Sequence, residues 1–174
     1  TVFAENVPER HAIELYQKSQ EQGKFVIGPA SVGLLIPNAI KLGAIGGVDL
    51  GQLRNAQIFT PGEVAVFSAS GGMTSELINT VIQAGKRISF ALSFGGDRFP
   101  LLTPKEAFLV AEADSQTKTI VYYGELGGTD EYELVELLQS GKVTKPVVCY
   151  IGGTVASLFE TSPQFGHAKA MAKH

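Results

Sequence analysis

Five short runs of β-branched and aromatic residues, each closed by glycine, set the strongest limit on what this chain can become. They are "KFVIGP" from Lys24, "EVAVFSASGG" from Glu63, "ISFALSFGGD" from Ile88, "TIVYYGELGG" from Thr119 and "PVVCYIGGT" from Pro146. Runs this apolar offer no solvent face, so each predicts a strand buried on both sides. Helical patterns lie between them. Residues Glu9 to Gln22 place Ala12, Ile13 and Tyr16 on one face and stop at Gly23. Thr74 to Ala84 pairs Leu77 with Val81 and Ile78 with Ile82 at i, i+4. Thr103, Pro104 and Glu106 form a capping box with proline at the first helical position. A further helix is expected from about Thr129 to Ser140, ending at Gly141. Alternating strands and helices imply βαβ crossovers, hence an α/β fold with a parallel sheet covered on both faces. Ligands in such folds collect outside the carboxyl ends of the strands, where these glycine-rich turns sit. The stretch from Gly28 to Gly51 breaks both periods, which places a domain boundary near Ala56–Thr60.

Bulk properties narrow the class. The 174 residues are 44% apolar and 18% charged, in the range of globular domains. A net charge of −3 without a Lys/Arg cluster argues against a nucleic-acid partner. The longest apolar stretch, Phe25 to Pro37, is interrupted by Gly28, Pro29, Ser31 and Gly33 and cannot serve as a membrane span. The single cysteine, Cys149, precludes an internal disulfide and reads as a small core residue, which suits a reducing, cytoplasmic compartment. The opening "TVFAENVPER" lacks an initiator Met and the layout of a signal peptide, as expected of a cut inside a longer chain.

Several turns carry groups capable of chemistry. In "VFSASGGMTSE" a strand runs through Ser68, Ser70, Gly71, Gly72 and Met73 into a helix, so free backbone N–H groups and a helix dipole make an anion site. The same residues also suit a plain strand-to-helix turn, and no Gly-Lys-Ser/Thr ending points to a nucleotide P-loop. Gly95, Gly96, Asp97 and Arg98 close the next strand, where the arginine can fork onto a carboxylate or form a solvated surface pair with the aspartate. Glu125 ends a third strand, placed either to orient an imidazole or simply in solvent. His167, in "QFGHA", has the side chain that can attack phosphorus at neutral pH and leave again, though a lone loop histidine is commonly just exposed. His11 and His174 lack such company and read as non-catalytic.

These pieces, in this order, resemble the family of the succinyl-CoA synthetase α-subunit and ATP-citrate lyase. The resemblance runs from "FVIGPASVG" through "SASGGMTSE", "GGDRFP", "GELGGTDEY" and "KVTKPVVCYIGGT" to "QFGHA". Three details tilt it to the citrate branch: "GPASVG" against that branch's Gly-Pro-Ala-Thr-Val-Gly, the arginine in "GGDRFP", and the Gln-Phe before the histidine turn. The resemblance implies that residues 1–57 are the end of a Rossmann-like CoA-binding domain plus linker. Residues 58–174 would be a C-terminally incomplete, flavodoxin-like ligase domain. It implies His167 as the residue transiently phosphorylated by ATP, with Glu125 as its partner. Ser68, Ser70, Gly71, Gly72 and Met73 would hold the phosphate. Gly95, Gly96, Asp97 and Arg98 would meet citrate or another small carboxylic acid, and Pro29, Ala30 and Ser31 would meet coenzyme A. ATP and Mg²⁺ would come with an ATP-grasp subunit or domain in an oligomeric assembly, and no metal ligand is expected in this chain.

The implied reaction is ATP-dependent acid–CoA ligation, with this fragment alone inactive. Ala69 stands where the family commonly has arginine, Leu101 where a glycine follows "GGDRFP", and Lys169 where glycine follows the His-Ala. Those departures leave room for a non-catalytic flavodoxin-like paralogue beside the two enzymatic readings, citrate and succinate.

Overall fold

In the computed structural model, which describes residues 1–97, 99–125 and 129–152, the apolar runs from Glu63 onward become the centre of one sheet. β3 (Val64–Ser68), β4 (Ile88–Ser93), β5 (Thr119–Gly124) and β6 (Val147–Ile151) lie parallel in the order β4-β3-β5-β6. Along β3 the side chains alternate between two cores. Ala65 and Phe67 join the cluster under α4 (Pro104–Ala113) and α5 (Asp130–Gln139), with Phe108 and Leu134. Val64 and Val66 join the other, under α3 (Gly71–Gln83), with Ile78 and Val81. Both faces are therefore apolar, and the period-2 alternation divides one core from the other instead of core from water.

The sheet is wider than the sequence suggests. β1 (Leu34–Ile36) and β2 (Ile40–Leu42) form an antiparallel hairpin whose first strand pairs antiparallel with β4, giving the full order β2-β1-β4-β3-β5-β6. Asn38 turns the hairpin at φ 61°, a conformation that its short amide side chain tolerates. The expectation that 28–51 breaks all periodicity fails here because three-residue strands are too short to display one. Two helices precede β3: α1 (Glu9–Glu21), close to its expected span, and the short α2 (Leu50–Asn55), capped by the Asp49 carboxylate accepting from the Gln52 amide at 2.7 Å.

Three further expectations need correction. "KFVIGP" is not a strand; the Val2 amide donates to the Ile27 carbonyl at 2.7 Å and the Ala30 amide to the Ala4 carbonyl at 2.9 Å, so this run pairs with the chain's beginning, outside the sheet. α3 starts three residues before Thr74 because Ser70 caps it. Cys149 is exposed: among the described residues β6 is the outermost strand next to β5, and Val148, Cys149, Tyr150 and Ile151 all lie open. Among the described residues no helix is long and apolar enough to cross a membrane.

Candidate functional site

Parallel register brings three turns to one edge. Ser68 pairs with Ser93 of β4 on one side and with Tyr123 of β5 on the other, so the turns after all three strands leave the sheet at the same level. The segment 28–33 then packs across two of them. Its Gly28–Pro29 peptide is cis, and the Gly28 carbonyl accepts from the Leu101 amide at 2.8 Å. Gly95 (φ 91°) touches this segment so closely that a Cβ there would strike the Pro29 carbonyl oxygen. Ser31 donates its hydroxyl to the Ser93 carbonyl at 2.6 Å.

The turn after β3 is built by its own serines. The Ser70 amide donates to the buried Ser68 Oγ at 3.0 Å, and Ser70 Oγ caps α3 by accepting from the Met73 amide at 3.4 Å. Thr74 Oγ1 then donates to the Ser70 carbonyl at 2.7 Å. The Gly71 and Gly72 amides fall in the first turn, where helical geometry supplies no acceptor within the helix. The two glycines differ in purpose. A Cβ at Gly71 would run into the Val32 side chain, whereas one at Gly72 would meet nothing within 4 Å. Gly71 therefore answers to packing, and the open approach lies at Gly72.

Acidic side chains mark which helix start can receive an outside anion. α4 carries Glu106 in its first turn, within an intact capping box, and α5 carries Asp130, Glu131 and Glu133. Their positive ends already face carboxylates from their own chains. The first turn of α3 contains no acidic residue.

Gly95 and Gly96 are buried, and the Asp97 carboxylate accepts from the Asn6 amide at 3.4 Å and the Val7 amide at 3.3 Å. A cleft of roughly 330 Å³ opens beside it, walled by Asn6, Val7, Pro8, Pro29, Asp97 and Phe99. Glu125 sits half-buried at the end of β5. Burial, then the Glu125 charge, then Tyr150 raise the Tyr123 phenol above its ordinary pKa, so Tyr123 is a neutral hydrogen-bonding group at this edge. Burial and the Glu131 carboxylate, which accepts from the Tyr122 hydroxyl at 3.0 Å, raise Tyr122 further still. Arg98 and His167 lie outside the described residues, as does Lys169.

Of the residues anticipated from sequence, Pro29, Ala30, Ser31, Ser68, Ser70, Gly71, Gly72, Met73, Gly95, Gly96, Asp97 and Glu125 thus collect at one sheet edge. The sequence reading missed Ser93, fully buried at the end of β4, and the amides of Asn6 and Val7. A serine closing the otherwise apolar "ISFAL" run was a usable signal for the first; backbone amides leave none. Among the described residues no three His, Cys, Asp or Glu side chains gather as a metal site.

Comparison with known proteins agrees with the α/β fold. The chain is 39% identical to a probable ATP-citrate synthase subunit 1 of Schizosaccharomyces pombe over 98% of its own length and 28% of the relative's. It is 42% identical to ATP-citrate synthase beta chain protein 2 of Arabidopsis thaliana, over 97% of this chain and 28% of that one. It therefore spans under a third of the length of these relatives. Among solved structures, ATP citrate lyase from Methanothrix soehngenii in complex with citrate and coenzyme A superposes with a TM-score of 0.92 at 36% identity, over 99% of this chain and 28% of that chain. A Pyrococcus horikoshii protein at 20% identity, with a TM-score of 0.63 over 88% of this chain and 33% of its own, shares the fold. The family described as CoA-ligase matches residues 67–174, from the penultimate residue of β3 onward, and the chain belongs to it.

Proposed function

We propose that this chain is the part of a citryl-CoA-forming, ATP-dependent ligase that carries the phosphoryl relay and the acid turn. The observation that carries the reading is the shared level of Ser68, Ser93 and Tyr123, which aims three turns at one place. The acid-free start of α3 and the likeness to ATP-citrate synthases support it. On this reading residues 1–57 are the end of a CoA-binding domain with its linker, and 58–174 belong to the ligase domain.

The chemistry runs in three balanced steps. A neutral imidazole nitrogen of His167 attacks the terminal phosphorus of ATP, delivered by an ATP-grasp subunit or domain, and ADP leaves. The Gly71 and Gly72 amides and the α3 dipole offset the phosphoryl charge, while Glu125 holds the imidazole N–H and with it the reactive tautomer. A citrate carboxylate oxygen, oriented by Arg98 and the turn at Gly95–Gly96, then attacks phosphorus, releasing the imidazole and forming an acyl phosphate. The coenzyme A thiolate finally attacks the acyl carbon and phosphate departs, leaving a thioester. Mg²⁺ belongs to the ATP-bearing partner, where it would neutralise phosphate charge, and none of these residue roles depends on it.

The test is phosphoryl labelling of the full-length protein together with its ATP-grasp partner. ATP labelled at the terminal phosphate should leave an acid-labile, base-stable label that His167→Ala abolishes and citrate, not succinate, discharges. Glu125→Gln should slow labelling on the order of 100-fold, the scale of a misplaced reacting group. Discharge by succinate alone would move the assignment to the succinate branch. A label that survives His167→Ala would end the relay altogether.

A further inference from the structure

The resemblance implies that Pro29, Ala30 and Ser31 meet coenzyme A, yet the Ser31 side chain faces inward. Ser31 is 3% exposed. Its hydroxyl hydrogen goes to the Ser93 carbonyl at 2.6 Å, and its oxygen accepts from the Gly33 amide at 2.9 Å. A hydroxyl has one hydrogen to donate, so the donor of Ser31 is fully committed within the protein. Ser93 returns the contact: its own amide donates to the Gly33 carbonyl at 3.1 Å. One residue further, the Phe94 amide donates to the Ser68 carbonyl at 2.9 Å, tying the acid turn to the phosphate turn. On the other flank Val32 fills the space that Gly71 leaves empty at the start of α3.

We propose that Ser31 is a positioning residue: its hydroxyl, through Ser93, sets the acid turn at Gly95–Gly96 and the phosphate turn at Ser68–Gly72 against each other. This rests on the ligase reading for its kinetic consequence, though not for its geometry. The physical reason is that the three turns come from separate elements and share no covalent constraint. One short buried hydrogen bond, from Ser31 to the Ser93 carbonyl, ties the segment to the end of β4, and the Gly33 amide holds the Ser31 oxygen in place from within the segment; removing the hydroxyl leaves the Ser93 carbonyl and the Gly33 amide without a partner.

The assay uses the full-length protein with its ATP-grasp partner. Ser31→Ala should slow citrate-dependent discharge of the histidine label by about tenfold, the loss of one well-made buried hydrogen bond, with the KM for coenzyme A changed less than about twofold. Ser31→Thr should restore the rate. Should Ser31→Ala fail to fold, Ser31→Cys, which keeps the volume but is a weak donor, carries the same expectation. A tenfold rise in the KM for coenzyme A with discharge unaltered would make the hydroxyl a cofactor contact and overturn the proposal; so would the absence of any change. If the wild-type protein takes no label, the ligase reading fails separately. Amide exchange at Gly33 and Phe94 then decides: faster in Ser31→Ala and normal in Ser31→Thr supports the positioning role, and equal rates in all three refute it.

Discussion

Gly95 shows how one missing side chain can hold two motifs together. Its φ of 91° lies where L-residues are strained, and its Cα faces the Pro29 carbonyl, so both backbone and space demand glycine. Gly95→Ala should destabilise the protein by about 1–3 kcal/mol, read as a lower urea midpoint. Gly72→Ala should fold normally, since nothing lies within 4 Å of its added Cβ. Equal losses at both positions would mean that the Pro29 contact is not what constrains Gly95. The thiol of Cys149 is raised by burial and then by the Glu131 carboxylate, which leaves it largely protonated at neutral pH although the residue is exposed.

At the level of the element, α4 is defined at both ends by polar contacts. At its start Thr103 Oγ1 accepts from the Glu106 amide at 3.2 Å, and Glu106 Oε2 accepts from the Thr103 amide at 2.8 Å. Thr103→Ala should cost about 1 kcal/mol, visible as a lower Tm. At its end Lys145 Nζ donates to the Ala111 and Asp114 carbonyls, each at 2.6 Å, answering orphan acceptors of the last turn. The Glu112 carboxylate takes the Thr144 hydroxyl at 2.6 Å and the Thr144 and Lys145 amides at 3.2 and 3.1 Å, fastening the approach to β6. The Thr144 hydroxyl bond, reinforced by those amides and the Lys145 charge against a smaller desolvation effect, lowers the Glu112 pKa. A depressed carboxylate contributes stability above its unfolded pKa of about 4.3 and loses it as pH falls through the lower folded value. Glu112→Gln should therefore reduce stability at neutral pH and flatten the decline of Tm below about pH 4. An unchanged acid limb would show that this clamp does not titrate with folding.

For the whole molecule, the decisive feature is that the early hairpin shares a core with the later helices. Leu35, Ile45, Leu53 and Ile58 are buried in the same cluster as Val64, Val66, Ile78 and Val81. Leu35, with no exposed surface, lies at the centre of that packing. Leu35→Ala should cost about 2–5 kcal/mol, and residues before and after 57 should lose structure in one urea transition whether followed by tyrosine fluorescence or by far-UV circular dichroism. Two separable transitions would contradict the shared core.

Local patterning alone was enough for the α/β class, the four parallel strands and α1, α4 and α5, because apolar β-branched runs and helices with a periodic face or a cap write themselves into neighbouring residues. The serine–glycine turn after β3 and the glycine turn after β4 were legible for the same reason. What needed the tertiary structure was everything decided across the chain. The β1–β2 hairpin is too short to show a period, and the run at Phe25–Ile27 has strand composition but finds its partner outside the sheet. Gly71 is a glycine because of Val32, and Ser31 faces Ser93, 62 positions away. Periodicity records which face of an element is apolar; only the packed molecule determines what that face, or a single hydroxyl on it, will meet.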